Sequence, residues 1–196
     1  MTASFTPDQE NKISETIHKT AIDGLYYIPH KYFPDDRGFY SELVRTPEVD
    51  ALTGQTFIAK QFNQSRSKTN VIRGFHSEDW NKLVTVTNGV CFCALVDLRK
   101  DSPTFGKSET FYLGIGENAL KGSIYISKGI GNSVCVVEGP ADYIYAVDAI
   151  WAERNTDNDK AINLFDPDIA IEWPIKREKM IISDRDLQSV NLKDLK

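Results

Sequence analysis

Histidine is scarce in this chain: His18, His30 and His76 are the only three among 196 residues. A three-histidine metal centre would need all of them, and the clustered His-x-His and Glu ligands of many metal-dependent β-barrel oxygenases are missing. A metal-dependent oxygenase is therefore a poor reading, and no resident metal is expected. Cysteine is as sparse. Cys91 and Cys93 lie two apart in one apolar run, and Cys135 lies in another. On an extended strand the first two point to one face, which suits buried thiols better than a disulfide, a redox pair or a zinc site.

Positive charge is in deficit too. A formal net charge of −5 argues against broad electrostatic binding to a phosphate backbone or an anionic membrane, so neither is an expected partner. No apolar run approaches the roughly 20 residues that cross a bilayer; the run 134–137 is representative. Residues 1–10 lack the basic flank and apolar stretch of a signal peptide, and the expected location is the cytoplasm. Internal repeats and low-complexity tracts are absent. The composition is 41% hydrophobic and 26% charged, which is that of a globular protein. It suits a single domain over 23–196, preceded by a partly flexible N-terminal extension over 1–22.

Short β-branched and aromatic segments broken by Gly, Asn, Pro and Asp dominate the pattern and predict an antiparallel all-β fold. Strands are expected at 24–29, 38–43, 57–65, 70–76, 82–87, 90–98, 108–113, 123–126, 132–137 and 142–147. Asn88-Gly89 reads as a tight hairpin turn, because both residues tolerate positive φ and they separate two apolar runs. So many closely spaced strands suit a sandwich or a barrel, with a jelly roll among the leading choices. Residues 47–52 are expected to form a helical turn and 184–196 a C-terminal helix.

His76 closes the run 70–76, NVIRGFH, in which Arg73 and His76 flank a glycine that lets the backbone or a ligand come close. Taken alone, such a histidine reads more readily as a hydrogen-bonded side chain at a strand end than as a base. Tyr143 and Tyr145 share a face if 142–147 is a strand, and by themselves they read as core or rim aromatics. Lys82 alone reads as a solvated charge. Asp97, Arg99, Asp101 and Ser102 suit a tight turn after a strand and carry no expected chemistry.

Several separated segments shift that weighting. Residues 33–42 read FPDDRGFYSE, 63–67 read NQSRS, 71–76 read VIRGFH, 96–106 read VDLRKDSPTFG, 171–174 read IEWP and 182–186 read ISDRD. In order and approximate spacing, over about 24–186, they resemble the dTDP-4-dehydrorhamnose 3,5-epimerase family. The resemblance implies a cupin-like jelly-roll sandwich with a short C-terminal helical segment and no cofactor. It also implies an isomerase that inverts C3, C5 or both of a nucleotide-linked 4-keto sugar, in the biosynthesis of an unusual sugar for a surface polysaccharide or glycoconjugate. A homodimer is expected, with the segment around Arg37 exchanged between subunits.

A C4 ketone acidifies the hydrogens on C3 and C5, because loss of either gives an enolate. Epimerisation then needs a base on one face, an acid on the other, and donors at the enolate oxygen. The family motifs put the base at His76, a carboxylate behind it at Asp186, the acid at Tyr145, and the cations at Lys82 and Arg73. Arg37, Tyr40 and Glu42 would contact the nucleotide from the partner subunit, while Gln61, Asn63 and Asn132 match positions near the substrate. The chain departs from the family twice. Asn132 occupies a slot where a histidine is common, and the interval from His76 to Lys82 is several residues short. Both departures resemble a branch acting on another nucleotide-4-keto sugar, such as a GDP-heptose. A 3,4-ketoisomerase and a sugar-nucleotide-binding protein without catalysis are the alternative readings.

Overall fold

The computed structural model describes residues 4–195; residues 1–3 of the expected extension and Lys196 of the expected C-terminal helix lie outside them. The strands are β1 (His18–Lys19), β2 (Leu25–Pro29), β3 (Lys31–Asp35), β4 (Gly38–Glu42), β5 (Gln61–Ser67), β6 (Ile72–Ser77), β7 (Lys82–Asp97), β8 (Ser108–Gly114), β9 (Gly122–Ile126), β10 (Ile130–Val147) and β11 (Lys160–Ala161). Two α-helices, α1 (Thr46–Thr53) and α2 (Asp184–Leu187), accompany them. No helix among the described residues is long and apolar enough to cross a membrane.

Two long strands, β7 and β10, pair antiparallel from Asp97 opposite Ile130 to Lys82 opposite Val147, and each belongs to two layers. The first half of β7 pairs with β9 and the second half of β10 with β5, giving a layer ordered β1-β2-β9-β7-β10-β5. The second half of β7 pairs with β8 and the first half of β10 with β6, giving the other layer, β8-β7-β10-β6-β11. This is the expected jelly-roll sandwich.

The hairpin expected at Asn88-Gly89 is not formed. Gly89 does take a positive φ of 73°, but the chain continues in the same direction. A Cβ there would lie 2.4 Å from the Glu138 carbonyl, and β10 shifts register opposite it between Val136 and Tyr143. The positive φ therefore serves a bulge that bends β7 from one layer into the other. The break expected at 138–141 is likewise a bend within β10.

Period-two alternation divides the core. Cys91, Cys93 and Leu95 face inward between the layers with Val84, Val86, Val134 and Tyr143. Phe92, Ala94 and Val96 face outward against the C-terminal segment with Phe75, Ile162, Leu164 and Ile169. On the other layer, Leu83, Tyr125 and Ala146 pack against Val49 of α1 and Phe57. Strands covered on both faces explain the unbroken apolar runs. All three thiols are buried, and burial raises Cys91 and Cys135 to about 12.

Residues 4–22 lie on this sandwich. The Phe5 ring sits 5.0 Å from that of Phe111 and 5.6 Å from that of Tyr27, and Ile17 and Ile22 are buried. Strands β3 and β4 form a separate two-stranded sheet, pairing only with each other among the described residues; β3 was not anticipated from the sequence. The expected helix over 184–196 is cut to four residues at α2, because Val190 bridges to Ile162 and Asn191 accepts a hydrogen bond from Asn163.

Candidate active site

The inter-layer core opens at one end into a cavity of about 320 Å³. The alternation that buries Val84 and Val86 continues backward to Lys82, and that of Val134 back to Asn132. Tyr143 and Tyr145 face the same space from the far half of β10, their rings 6.0 Å apart. His76 enters from β6, where it is paired with Asn132. The two layers thus meet across the cavity, with Tyr145 and Lys82 on one and His76 and Asn132 on the other.

Gly74 makes the β6 approach possible. Its φ is 118°, and a Cβ would lie 2.5 Å from the Ser133 Cβ and 2.6 Å from the Asn132 carbonyl, so only glycine fits. Its N–H also donates to Asp186 Oδ2 at 3.4 Å. Asp186 sits in α2, whose Ser183 Oγ accepts from the Asp186 N–H at 3.2 Å, an N-cap bond that fixes the turn. The other carboxylate oxygen lies 2.7 Å from His76 Nε2. Asp186 is 4% exposed and His76 26%. Burial opposes ionisation of Asp186, but the bonds from His76, Gly74 and Ser183 outweigh it and hold the carboxyl below the ordinary carboxylate value. A carboxylate on Nε2 selects the tautomer protonated there and leaves Nδ1 unprotonated, able to accept a proton.

Lys82 is buried at 6% exposure, unlike a solvated strand lysine. Its ammonium lies 2.5 Å from Glu78 and 5.8 Å from the centre of the Tyr145 ring. Burial raises the Tyr145 phenol, the Glu78 charge raises it further, and Arg73 opposes both. A phenol so placed stays protonated and can donate. Arg73 reaches the cavity mouth and donates from Nε to Ser67 Oγ at 3.2 Å. Asn132 Nδ2 donates to the Tyr143 hydroxyl at 2.9 Å.

His76, Asp186, Tyr145, Lys82, Arg73 and Asn132 are therefore together at one cavity. Gln61 and Asn63 are not on its wall; they bond each other at 2.6 Å on β5, where Asn63 pairs with Tyr145. Arg37, Tyr40 and Glu42 are away on the β3–β4 sheet. Arg37 is 89% exposed and paired with Asp35, Tyr40 is 68% exposed, and Glu42 is paired with Arg45 at 2.8 Å. The other histidines stand apart with their own partners. His18, expected in a weakly ordered start, is in β1 with Nδ1 2.7 Å from Asn11. His30 lies 2.8 Å from Ser123, and burial lowers it to about 4.

Sequence reading missed Glu78, which lines the cavity. Its one signal was an acid four residues before Lys82 in the shortened interval. A larger depression of about 750 Å³ lies beyond Glu78, around Tyr26, Asp79, Arg99 and Lys128. It touches neither His76 nor Tyr145, which lie together at the smaller cavity.

A carboxylate-backed histidine on one layer, facing a phenol and a buried ammonium on the other, gives this jelly roll the groups that acid–base chemistry at carbon requires. Comparison with known proteins narrows the class. The model of the dTDP-4-dehydrorhamnose 3,5-epimerase family matches residues 19–194. The chain is 30% identical over 181 residues to the dTDP-4-dehydrorhamnose 3,5-epimerase of Shigella flexneri, spanning 90% of this chain and 95% of that one. Its structure is similar to a dTDP-6-deoxy-D-glucose-3,5-epimerase from Legionella pneumophila in complex with dTDP-4-keto-L-rhamnose. That match has a TM-score of 0.81 and 33% identity, and covers 92% and 94% of the two chains. It is also similar to a 4-keto-6-deoxy sugar epimerase from the novobiocin gene cluster of Streptomyces spheroides, with a TM-score of 0.82, 26% identity, and coverage of 98% and 93%. The chain belongs to the dTDP-4-dehydrorhamnose 3,5-epimerase family.

Proposed function

We propose that the chain epimerises C3, C5 or both of a nucleotide-linked 4-keto sugar. The observation that carries this is the 2.7 Å contact of His76 with Asp186 in the same cavity as Tyr145 and Lys82. His76 Nδ1 takes the proton from carbon, and the C–H electron pair moves through the C3–C4 or C4–C5 bond onto the ketone oxygen. Lys82 and Arg73 stabilise the enolate. Tyr145 returns a proton to the opposite face as the C=O re-forms, and solvent resets the phenol and imidazole. Asn132 and the tyrosines shape the sugar pocket.

The sugar nucleotide differs from that of the rhamnose enzymes in this reading, a GDP-linked heptose being one candidate. The amide of Asn132 and the short interval from His76 to Lys82 favour it, since both alter the wall against the sugar. The working form is a homodimer in the cytoplasm. The β3–β4 sheet supports the dimer, because it pairs with no other strand among the described residues and holds Phe33, Phe39 and Tyr40 at 46%, 57% and 68% exposure. Exchanged between subunits, it would bring Arg37, Tyr40 and Glu42 to a neighbour's nucleotide, with Gln61 and Asn63 beside it.

Incubation in D₂O with dTDP- and GDP-linked 4-keto sugars tests this reading by NMR. Solvent deuterium at C3 or C5 with the ketone kept at C4 is the expected result. No exchange with any of them, beside a working control epimerase, would reject the epimerase reading, and a ketone moved to C3 would replace it with a ketoisomerase. Sedimentation of the chain with and without residues 31–42 tests the exchange.

A further inference from the structure

The connection from β6 to β7 crosses from the layer of His76 to the layer of Tyr145 in four residues, 78–81. Glu78 is its first. The carboxylate reaches back to Lys82 Nζ at 2.5 Å, four residues on, and the Trp80 N–H bonds the Glu78 carbonyl at 2.9 Å to close the turn between them. Lys82 is 8% exposed in its side chain and Glu78 20%. A lysine ammonium on a flexible stem has three rotatable donors and no fixed direction of its own, and here one acid sets that direction.

We propose that Glu78 is a positioning residue of this site, its carboxylate holding the Lys82 ammonium at the cavity wall beside the Tyr145 ring. The inference rests on the epimerase reading above and adds a residue to it. Arg154 approaches from the segment after β10, its guanidinium 5.3 Å from the centre of the Trp80 ring and bound to Asp159 at 2.5 Å. His76 faces from β6, Tyr145 from β10 and Arg73 from the cavity mouth. Burial opposes ionisation of Glu78, but Lys82, His76 and Arg154 outweigh it and hold the carboxyl below its ordinary value. The same charge raises the Tyr145 phenol, which keeps the proton donor loaded.

Glu78→Gln keeps the shape, removes the charge and frees the ammonium. With a 4-keto nucleotide sugar that wild type turns over, kcat of E78Q should fall about tenfold to a hundredfold, the scale of a misplaced group near 1 Å. Its alkaline limb should move to lower pH, because Tyr145 loses a neighbouring negative charge. Glu78→Asp keeps the charge and shortens the reach; its alkaline limb should stay with wild type while kcat falls severalfold. Circular dichroism checks folding, and if E78Q does not fold, E78D decides on those two readouts. Wild-type kcat and pH profile in E78Q, or wild-type kcat in E78D, would overturn the inference alone. No deuterium exchange in wild type would overturn the epimerase reading and this inference with it.

Discussion

Replacing Asp186 by Asn keeps the volume behind His76 and removes one charge, so its effect isolates what the carboxylate does. In the proposed mechanism His76 takes a proton from carbon and becomes an imidazolium whose Nε2 is 2.7 Å from the Asp186 oxygen. Taking the centres of the two charges as roughly 4 Å apart, their attraction at an effective dielectric of about 20 is about 4 kcal/mol. The asparagine dipole recovers part of this. It also allows the amide to donate to Nε2, which moves the ring proton to Nδ1 and blocks the base. A net barrier increase of about 3 kcal/mol corresponds to a fall in kcat of about a hundredfold. Asp186 is 4% exposed and lies behind the ring, so KM should change less than threefold by rough reckoning. Steady-state turnover and the rate of deuterium entry, measured on D186N across pH, check both numbers. A kcat within about threefold of wild type, with wild-type exchange, would show that His76 works without this carboxylate or is not the base.

Two further predictions concern the frame. Asp97 is buried beside Arg99, Ser102 and Thr104, and although burial opposes it, their hydrogen bonds lower its carboxyl from 3.8 to about 2. A folded value below the unfolded one stabilises above about pH 4, and that stability is lost as pH falls toward 2. The contribution is about 2 kcal/mol, so urea unfolding should find Asp97→Asn weaker than wild type at pH 7, with the gap closing near pH 2; a constant gap would refute the assignment. At Gly74, alanine would put a Cβ 2.5 Å from Ser133 at a φ that L residues avoid. Gly74→Ala should cost about 2–4 kcal/mol by overpacking and backbone strain, read as a lower unfolding midpoint; an unchanged midpoint would mean that β6 can retreat.

The frame was legible wherever burial imposes a period. The run 90–98 alternates Cys91, Cys93 and Leu95 with Phe92, Ala94 and Val96, and the two sets pack into different clusters. Asn88-Gly89 misled because a positive φ at Gly89 is required by a hairpin and by a bulge alike. The choice is made by the partner strand, and the Glu138 carbonyl that sits against Gly89 is 49 residues away in sequence. The C-terminal helix was overextended for a similar reason: Val190 is claimed by Ile162, a contact that local propensity does not encode. In the site, His76, Lys82 and Tyr145 were legible through motifs, whereas Glu78 belongs to the interval where this chain leaves the family pattern.

That bend also explains why His76 and Tyr145 face each other across the cavity. Were β7 and β10 straight, they would run in one layer, and Tyr145 would lie on the same sheet as Asn132 with no wall opposite. The bulges at Gly89 and at 138–142 turn each strand into the second layer. The half of β10 carrying Tyr143 and Tyr145 then stands over the half that pairs with His76. Alternation supplies the rest, since side chains that must be apolar at Val84 and Val134 become polar two residues earlier, at Lys82 and Asn132, where the layers part. The cavity is thus the open end of the core rather than a pocket added to its surface. Its chemistry can change with single residues at that end, as at Asn132 and Glu78, while the strands that hold it keep their register.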